Sequence, residues 1–272
     1  MFFLNKTTFF TLLFSSTFLA AEGQRALVVG ASSGMGYEIA KILIQNGYTV
    51  AVTARRTDRL TTLTALNPEK VISAKMDISQ IEESLTTIDS LITQLGGLDL
   101  CILAATGYRE MDWLSQDWKS YSHFLKTDII SFTAISKTII NFFEKQKHGH
   151  FLGFSSVSGY RAEGHNSIYS AAKSYATRFL EGERNRLAQK QVNVQVTELV
   201  PGWVITSEND EIKPHMYWID TQEEAGLAIW RAIVERRAIG YVTERQEKVV
   251  KLLPLISEDL YNALNARPNG MI

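Results

Sequence analysis

The sequence predicts an α/β fold, a single doubly wound parallel sheet of about seven strands with helices on both faces, and three observations predict it. β-Rich runs alternate with helical segments along the body from Arg25 to Thr243. The strands read as almost unbroken apolar runs, the pattern of strands covered on both faces, and not as the polar/apolar alternation of a half-exposed sheet. The first strand runs straight into a glycine-rich turn, GASSGMG, that opens the first helix.

The first strand is RALVVG, from Arg25, and the helix behind it is GYEIAKILIQN, closed by Gly47. YTVAVTA is the second strand, rich in β-branched residues, and RRTDRLTTLTAL reads as a polar helix after it. KVISAKM supplies the third strand, and the next helix runs from about Ile81 to Leu95, where Gly96 and Gly97 stop it. LDLCILAA is the fourth strand, followed by one long helix from about Trp118 to Lys145. Then come HFLGFSS, a helix from about Ser167 to Ala188, the strand VNVQVTELV, a helix from about Glu223 to Arg236, and the last strand IGYVT. Right-handed crossovers between these strands cover both faces of the sheet. Near the C-terminus KVVKLLPLISEDLYNAL is amphipathic but contains Pro254, which lacks an amide donor and splits the stretch into two short helices packed over the core.

Composition bounds the function. A length of 272 residues is long for one average domain and short for two, so one large domain spanning 22–272 is expected. Lys and Arg number 28 against 29 Asp and Glu, a net charge of -1, and no basic stripe emerges, which argues against a nucleic-acid partner. The single cysteine, Cys101, excludes an internal disulfide and any CxxC motif, and reads as a buried strand residue. His123, His148, His150, His165 and His215 show no HExxH or carboxylate spacing; they read as loop or surface residues, and no metal is expected.

The glycine turn carries the first chemistry. Gly30, Gly34 and Gly36 let the backbone turn sharply and approach a pyrophosphate, with Ser32, Ser33 and Met35 between them. The free N–H groups and positive end of the helix dipole stabilise its charge. The spacing is G-x-x-x-G-x-G and not the commoner G-x-G-x-x-G, so placement between strand and helix carries the inference. At the end of the second strand, where a protein preferring NAD presents a carboxylate to the ribose hydroxyls, stand Ala54 and Arg55. A guanidinium pairs bidentately with a 2′-phosphate, so NADP(H) is expected over NAD(H), which stays the alternative, with Arg55 leading and Arg56 assisting.

Residues 1–21 form a separate apolar leader: Lys6, then FFTLLFSSTFLAA, ending in small side chains. It has the form of a signal peptide or a membrane-associating segment, reaching the ~20 apolar residues of a spanning helix only if MFFL joins it across Asn5 and Lys6; an over-extended start site or a frayed apolar tail is the alternative. Because the body calls for a cytoplasmic nucleotide, the expected location is cytoplasmic. Membrane association through residues 1–21 and export are the readings that the leader keeps open.

The segment HFLGFSSVSGYRAEGHNSIYSAAKSYATRF completes the pattern. With the glycine turn, Asp77 after the third strand, Ser156, Tyr169 and Lys173 in YSAAK, and Pro201-Gly202 leading to Thr206, the chain resembles the short-chain dehydrogenase/reductase family from residue 25 to about 245. The resemblance implies a Rossmann-type sheet, a nicotinamide cofactor, a small-molecule carbonyl or alcohol substrate and a homo-oligomer. Tyr169 and Lys173 are four apart and share a helix face, and a cation beside a phenol favours release of its proton. The resemblance makes Tyr169 the acid/base, gives Lys173 the nicotinamide ribose and Ser156 the substrate oxygen. It sets Pro201, Gly202, Val204 and Thr206 along the nicotinamide carboxamide, and Asp77 with Ile78 at the adenine; an Asp before a helix is also an ordinary N-cap.

The chain departs from the family twice. Where Asn-Asn-Ala-Gly is usual after the fourth strand, it reads Leu103-Ala104-Ala105-Thr106, with Gly107 one place late. Ala104 and Ala105 are small enough for cofactor approach, but the bracing asparagine is missing. In TDIIS, Asp128 stands where the family's fourth catalytic residue, an asparagine, is expected. A carboxylate there either pairs with Lys173, keeps it charged and holds a relay water, or over-stabilises it and damps proton transfer. Trp203, Met216, Tyr217 and Trp218 fall in the segment where the family builds its substrate lid, and their apolar character suits a lipophilic substrate. The expected function is an NADP(H)-dependent oxidoreductase interconverting a carbonyl and a secondary alcohol. The alternative is a catalytically weak NADP(H)-binding sensor or scaffold of the same fold.

Overall fold

The computed structural model describes residues 23–107, 117–162, 166–205 and 219–265. The apolar leader lies outside the described residues, as do Thr206, His165, His215, Met216, Tyr217 and Trp218. β1 (Arg25–Val29) leads through the glycine turn into α1 (Gly34–Gln45), β2 (Thr49–Ala54), α2 (Thr61–Leu66), β3 (Val71–Lys75), α3 (Ile81–Leu95) and β4 (Leu100–Leu103). α4 (Trp118–Leu125) and α5 (Phe132–Gln146) follow, then β5 (His148–Phe154), α6 (Ser167–Gln189), β6 (Asn193–Val200) and the two-residue strands β7 (Val204–Ile205) and β8 (Asp220–Thr221). α7 (Gln222–Val234), β9 (Ile239–Tyr241), α8 (Glu247–Leu252) and α9 (Glu258–Asn265) end the described chain, with Pro254 in a short 3₁₀ turn between the last two helices.

Seven strands form the sheet in the order β3-β2-β1-β4-β5-β6-β9, and every neighbouring pair is parallel. The order reverses between β1 and β4, so the crevice beyond the carboxyl ends of those strands is where such a sheet binds ligands. β7 and β8 pair separately, in parallel. Period-two alternation within β1 sends Ala26 and Val28 to a face covered by Ile39, Leu43 and Ile229, and Leu27 and Val29 to a face covered by Leu91, Ile135 and Phe143. Full burial of each large apolar side chain contributes about 1.5–3 kcal/mol, which is why both faces of these strands are apolar. α3 ends as its glycines require: Gly96 adopts φ +71°, and the Gly97 N–H donates to Ile92 O at 2.9 Å. α7 starts on a reciprocal capping box between Thr221 and Glu224.

Three local expectations need correction. The long helix predicted over 118–145 is interrupted by a π-helical turn at Lys126–Ser131. The Thr127 hydroxyl donates to Phe124 O at 2.9 Å, competing with the backbone ladder where Asp128 turns inward. Arg55 and Arg56 do not open a helix; they sit in the loop after β2, ahead of a 3₁₀ turn at Asp58–Leu60. His150 is not a surface residue but a buried member of β5, where its Nε2 lies 2.7 Å from the Thr197 hydroxyl.

Among the described residues no helix is long and apolar enough to cross a membrane.

Candidate active site

A cavity of about 480 Å³ opens along the carboxyl ends of β1, β2, β4, β5 and β6. Its floor begins at the glycine turn. Gly30, at φ +94°, lies so close to the loop after β4 that a Cβ there would stand 2.5 Å from Ala105 N, and a Cβ on Gly36 would stand 2.2 Å from Gly30 O. Only glycine permits this approach of turn, helix and loop. Gly34, Ser32, Ser33 and Met35 line the same end. α1 begins at Ser33 with no side-chain cap and no acidic residue in its first turn, so its leading N–H groups face the cavity's charge requirement unopposed. That end fits a pyrophosphate.

Beyond the turn, Arg55 and Arg56 both line the cavity. Arg56 Nη2 donates to the Ser33 hydroxyl at 3.1 Å and to the Ser32 hydroxyl at 3.3 Å, which ties it to the glycine turn. Asp77 and Ile78 line the next stretch, after β3. Asp77 is not an N-cap: its Oδ1 accepts from Ser79 N–H at 2.9 Å, and α3 starts later, after Gln80.

The sheet centre is braced without the family's asparagine. Ala104 and Ala105 line the cavity, and both their N–H groups donate to Val29 O, at 2.8 and 2.9 Å. The next two residues are held by Asp128 from the π turn. Its Oδ1 accepts from the Thr106 hydroxyl at 2.7 Å and its Oδ2 from Gly107 N–H at 2.6 Å, with the Thr127 hydroxyl 3.1 Å from Oδ2. The same carboxylate takes Lys173 Nζ at 2.9 Å. The sequence shows Thr106 and Gly107 only as part of the departure from Asn-Asn-Ala-Gly; their hold by Asp128, 22 and 21 residues on, appears in the structure.

Lys173 is buried on α6, one turn beyond Tyr169, with its Nζ 5.6 Å from the Tyr169 ring centroid. Burial alone lowers the ammonium's pKa; the charges of Asp128 and Tyr169 and the Asp128 hydrogen bond outweigh it and hold Lys173 above the ordinary lysine value. The Tyr169 ring packs against Phe124 of α4, centroids 6.1 Å apart. Ser156, at the end of β5, caps a 3₁₀ turn by accepting Ser158 N–H at 3.2 Å. Ser156, Tyr169, Lys173 and Asp128 all line the cavity, as do Pro201, Gly202, Trp203 and Val204 on its far side. Pro201 O accepts Val157 N–H at 3.1 Å, and Gly202 N–H donates to the Thr243 hydroxyl at 3.2 Å, which fixes that wall to the β5 turn and to the residues after β9.

The arrangement fits a dinucleotide: an uncapped helix end and glycine floor for phosphates, small residues at the centre, and a hydroxyl, a phenol and an ammonium at the far end. The family model described as short chain dehydrogenase matches residues 24–216. An uncharacterized oxidoreductase of Myxococcus xanthus is 30% identical over 220 residues, covering 77% of this chain and 85% of that protein. Dehydrogenase/reductase SDR family member 11 of Gallus gallus is 28% identical over 193 residues, covering 68% of this chain and 76% of that one. A solved short chain dehydrogenase from Burkholderia cenocepacia, in complex with NADP, superposes with a TM-score of 0.75 over 90% of this chain and 99% of its own, at 20% identity, and shares the fold. On the match over most of its body, the chain belongs to the short chain dehydrogenase family of oxidoreductases acting on CH–OH groups.

Proposed function

We propose that this protein is an NADP(H)-dependent oxidoreductase that interconverts a carbonyl and a secondary alcohol, with Tyr169 as acid/base and a lipophilic substrate. The observation that carries the reading is Lys173: a buried ammonium held 2.9 Å from Asp128, with the Tyr169 ring 5.6 Å away, in the cavity that begins at the glycine turn. When bound, a nicotinamide supplies or accepts the hydride. The uncapped start of α1 and the backbone of Gly30, Gly34 and Gly36 would hold its pyrophosphate. Arg55 and Arg56, with Ser32 and Ser33, supply the positive charge and donors that suit a 2′-phosphate, and no carboxylate at the end of β2 opposes it.

In the reducing direction Ser156 donates a hydrogen bond to the carbonyl oxygen, and Tyr169 transfers its hydroxyl proton to that oxygen as the hydride reaches carbon. The Lys173 ammonium stabilises the phenolate left behind, which regains a proton from solvent. In the oxidising direction the Tyr169 phenolate removes the alcohol proton. Trp203, Phe154 and Val157 give the substrate end apolar walls, which supports a lipophilic substrate. The direct grip of Asp128 on Lys173 favours a second reading, a slow or inactive NADP(H)-binding sensor or scaffold.

One experiment separates them. Purified protein is assayed for NADPH oxidation against a panel of ketones and aldehydes, with NADPH binding followed by fluorescence. Turnover of an apolar carbonyl is expected; saturable binding with no turnover of any carbonyl or alcohol would support the second reading instead.

A further inference from the structure

The most fully buried carboxylate outside the catalytic group is Glu198, in the middle of the apolar strand β6, with 0% exposure. Its Oε1 accepts two hydrogen bonds, from the Ser155 hydroxyl at 2.6 Å and the Thr177 hydroxyl at 2.7 Å. Arg184 Nη2 stands 4.0 Å from its Oε2. The Tyr160 phenol also faces this carboxylate: its pKa is pushed up first by burial, then by the charge of Glu198, with hydrogen bonding to Glu198 adding to it.

A carboxylate this deep, with one distant cation, is an expensive way to stabilise a sheet, since an apolar residue of similar volume usually serves as well or better. Its two donors explain its place. Ser155 immediately precedes Ser156. Thr177 is one helical turn after Lys173 and two after Tyr169, on the same face of α6. A single oxygen on β6 therefore ties the end of β5, which carries the serine, to the helix that carries the tyrosine and lysine. The geometry points to Glu198 as a positioning residue for the catalytic group: its Oε1 sets the register of α6 against β5, and so the distance between Ser156 and the Tyr169–Lys173 pair. The inference rests on the reading given under Proposed function. A displacement of about 1 Å at such a group costs on the order of 10²-fold in rate.

Glu198→Leu removes the acceptor. Both hydroxyls then have fallback acceptors, Leu199 O at 3.3 Å from Ser155 and Lys173 O at 3.2 Å from Thr177, so the fold survives. We expect kcat to fall about 10- to 100-fold. KM for NADPH should stay within about threefold, and the Tm of the cofactor-free protein should be equal or higher, because a buried charge has gone. Glu198→Gln, which keeps Oε1, should restore kcat to within about threefold of the parent. An unchanged kcat in Glu198→Leu, a parallel fall of kcat and Tm, or a glutamine variant as slow as the leucine one would overturn the proposal. Should Glu198→Leu not fold, Thr177→Val cuts one arm alone: kcat reduced several-fold at unchanged KM supports the tie, and unchanged kcat refutes it. Parent protein with no turnover of any carbonyl would sink the functional reading itself, which distinguishes the two failures.

Discussion

Replacing Asp128 by asparagine tests the centre of the site without changing its volume. The carboxylate accepts two hydrogen bonds at Oδ1, from Lys173 and Thr106, and one at Oδ2, from Gly107 N–H, while the Thr127 hydroxyl, whose proton goes to Phe124 O, lies 3.1 Å from Oδ2. An asparagine whose oxygen stays on Lys173 and Thr106 turns its NH₂ group toward Gly107 N–H, donor against donor. Removing one partner of a buried pair costs roughly 3–5 kcal/mol; with two hydrogen bonds retained we expect a loss of about 2–4 kcal/mol at neutral pH. The pH dependence carries the sharper test. In the parent, Lys173 is held above its ordinary value of 10.5, so its contribution is fully present below that pH and is lost as pH rises through the folded value. In the variant burial remains without the carboxylate, the folded value drops below that of the unfolded chain, and stability rises with pH on approach to it. The deficit of Asp128→Asn should therefore be largest near pH 7 and shrink as pH rises toward the ordinary lysine value of 10.5. Denaturant unfolding of cofactor-free parent and variant across that range measures it. A deficit that stays constant or widens with pH would refute the ion-pair account.

Other expectations follow from the same geometry. Tyr169→Phe should lose at least about 10²-fold in turnover while binding NADPH within a few-fold of the parent, as read by cofactor fluorescence; comparable turnover would remove the tyrosine from the chemistry. Arg55→Ala and Arg56→Ala should each raise KM for NADPH, and the double variant by at least about tenfold more than for NADH; equal effects on both cofactors would refute phosphate recognition. His150, held neutral by burial and next by the charge of Arg236, has its pKa lowered to about 3. Between there and the ordinary value near 6.5 the unfolded chain binds the extra proton, so stability should fall as pH drops through that window. His150→Gln should flatten that slope in thermal melts at pH 4–7, and an unaltered slope would count against it.

The β/α punctuation exposed the fold because each parallel strand must be apolar on both faces, and runs such as ALVV and CIL leave little else to be. That Tyr169, Lys173 and Ser156 line one cavity was legible from the order of the motifs the chain shares with the family and from the four-residue spacing of the first two. What stayed hidden involves partners from separate elements. Glu198 reads in sequence as an oddity within VTELV, and Ser155 and Thr177 become its reason only when three elements meet. The bracing of Gly107 by Asp128 was hidden in the same way. Arg55 and Arg56 both line the cavity, and the tie of Arg56 to Ser32 and Ser33 joins two loops 23 and 24 residues apart. His150 opens the predicted strand HFLGFSS and read as a surface residue at its edge, while the strand begins two residues earlier, at His148, and carries His150 inside.

The π turn at Lys126–Ser131 makes one stretch of helix serve two masters. Upstream, Phe124 supports the tyrosine ring; downstream, Phe132 and Ile135 fill the apolar layer under the sheet; between them Asp128 reaches the polar centre. Residues four apart share a face of an ordinary α-helix, and the wider π turn keeps Phe124, Asp128 and Phe132 in line on that face. The stretch is consequently far more sensitive to its number of residues than to their identity at an outward position such as Ile130. Losing a single one would rotate either the carboxylate off its lysine or the phenylalanine out of its layer.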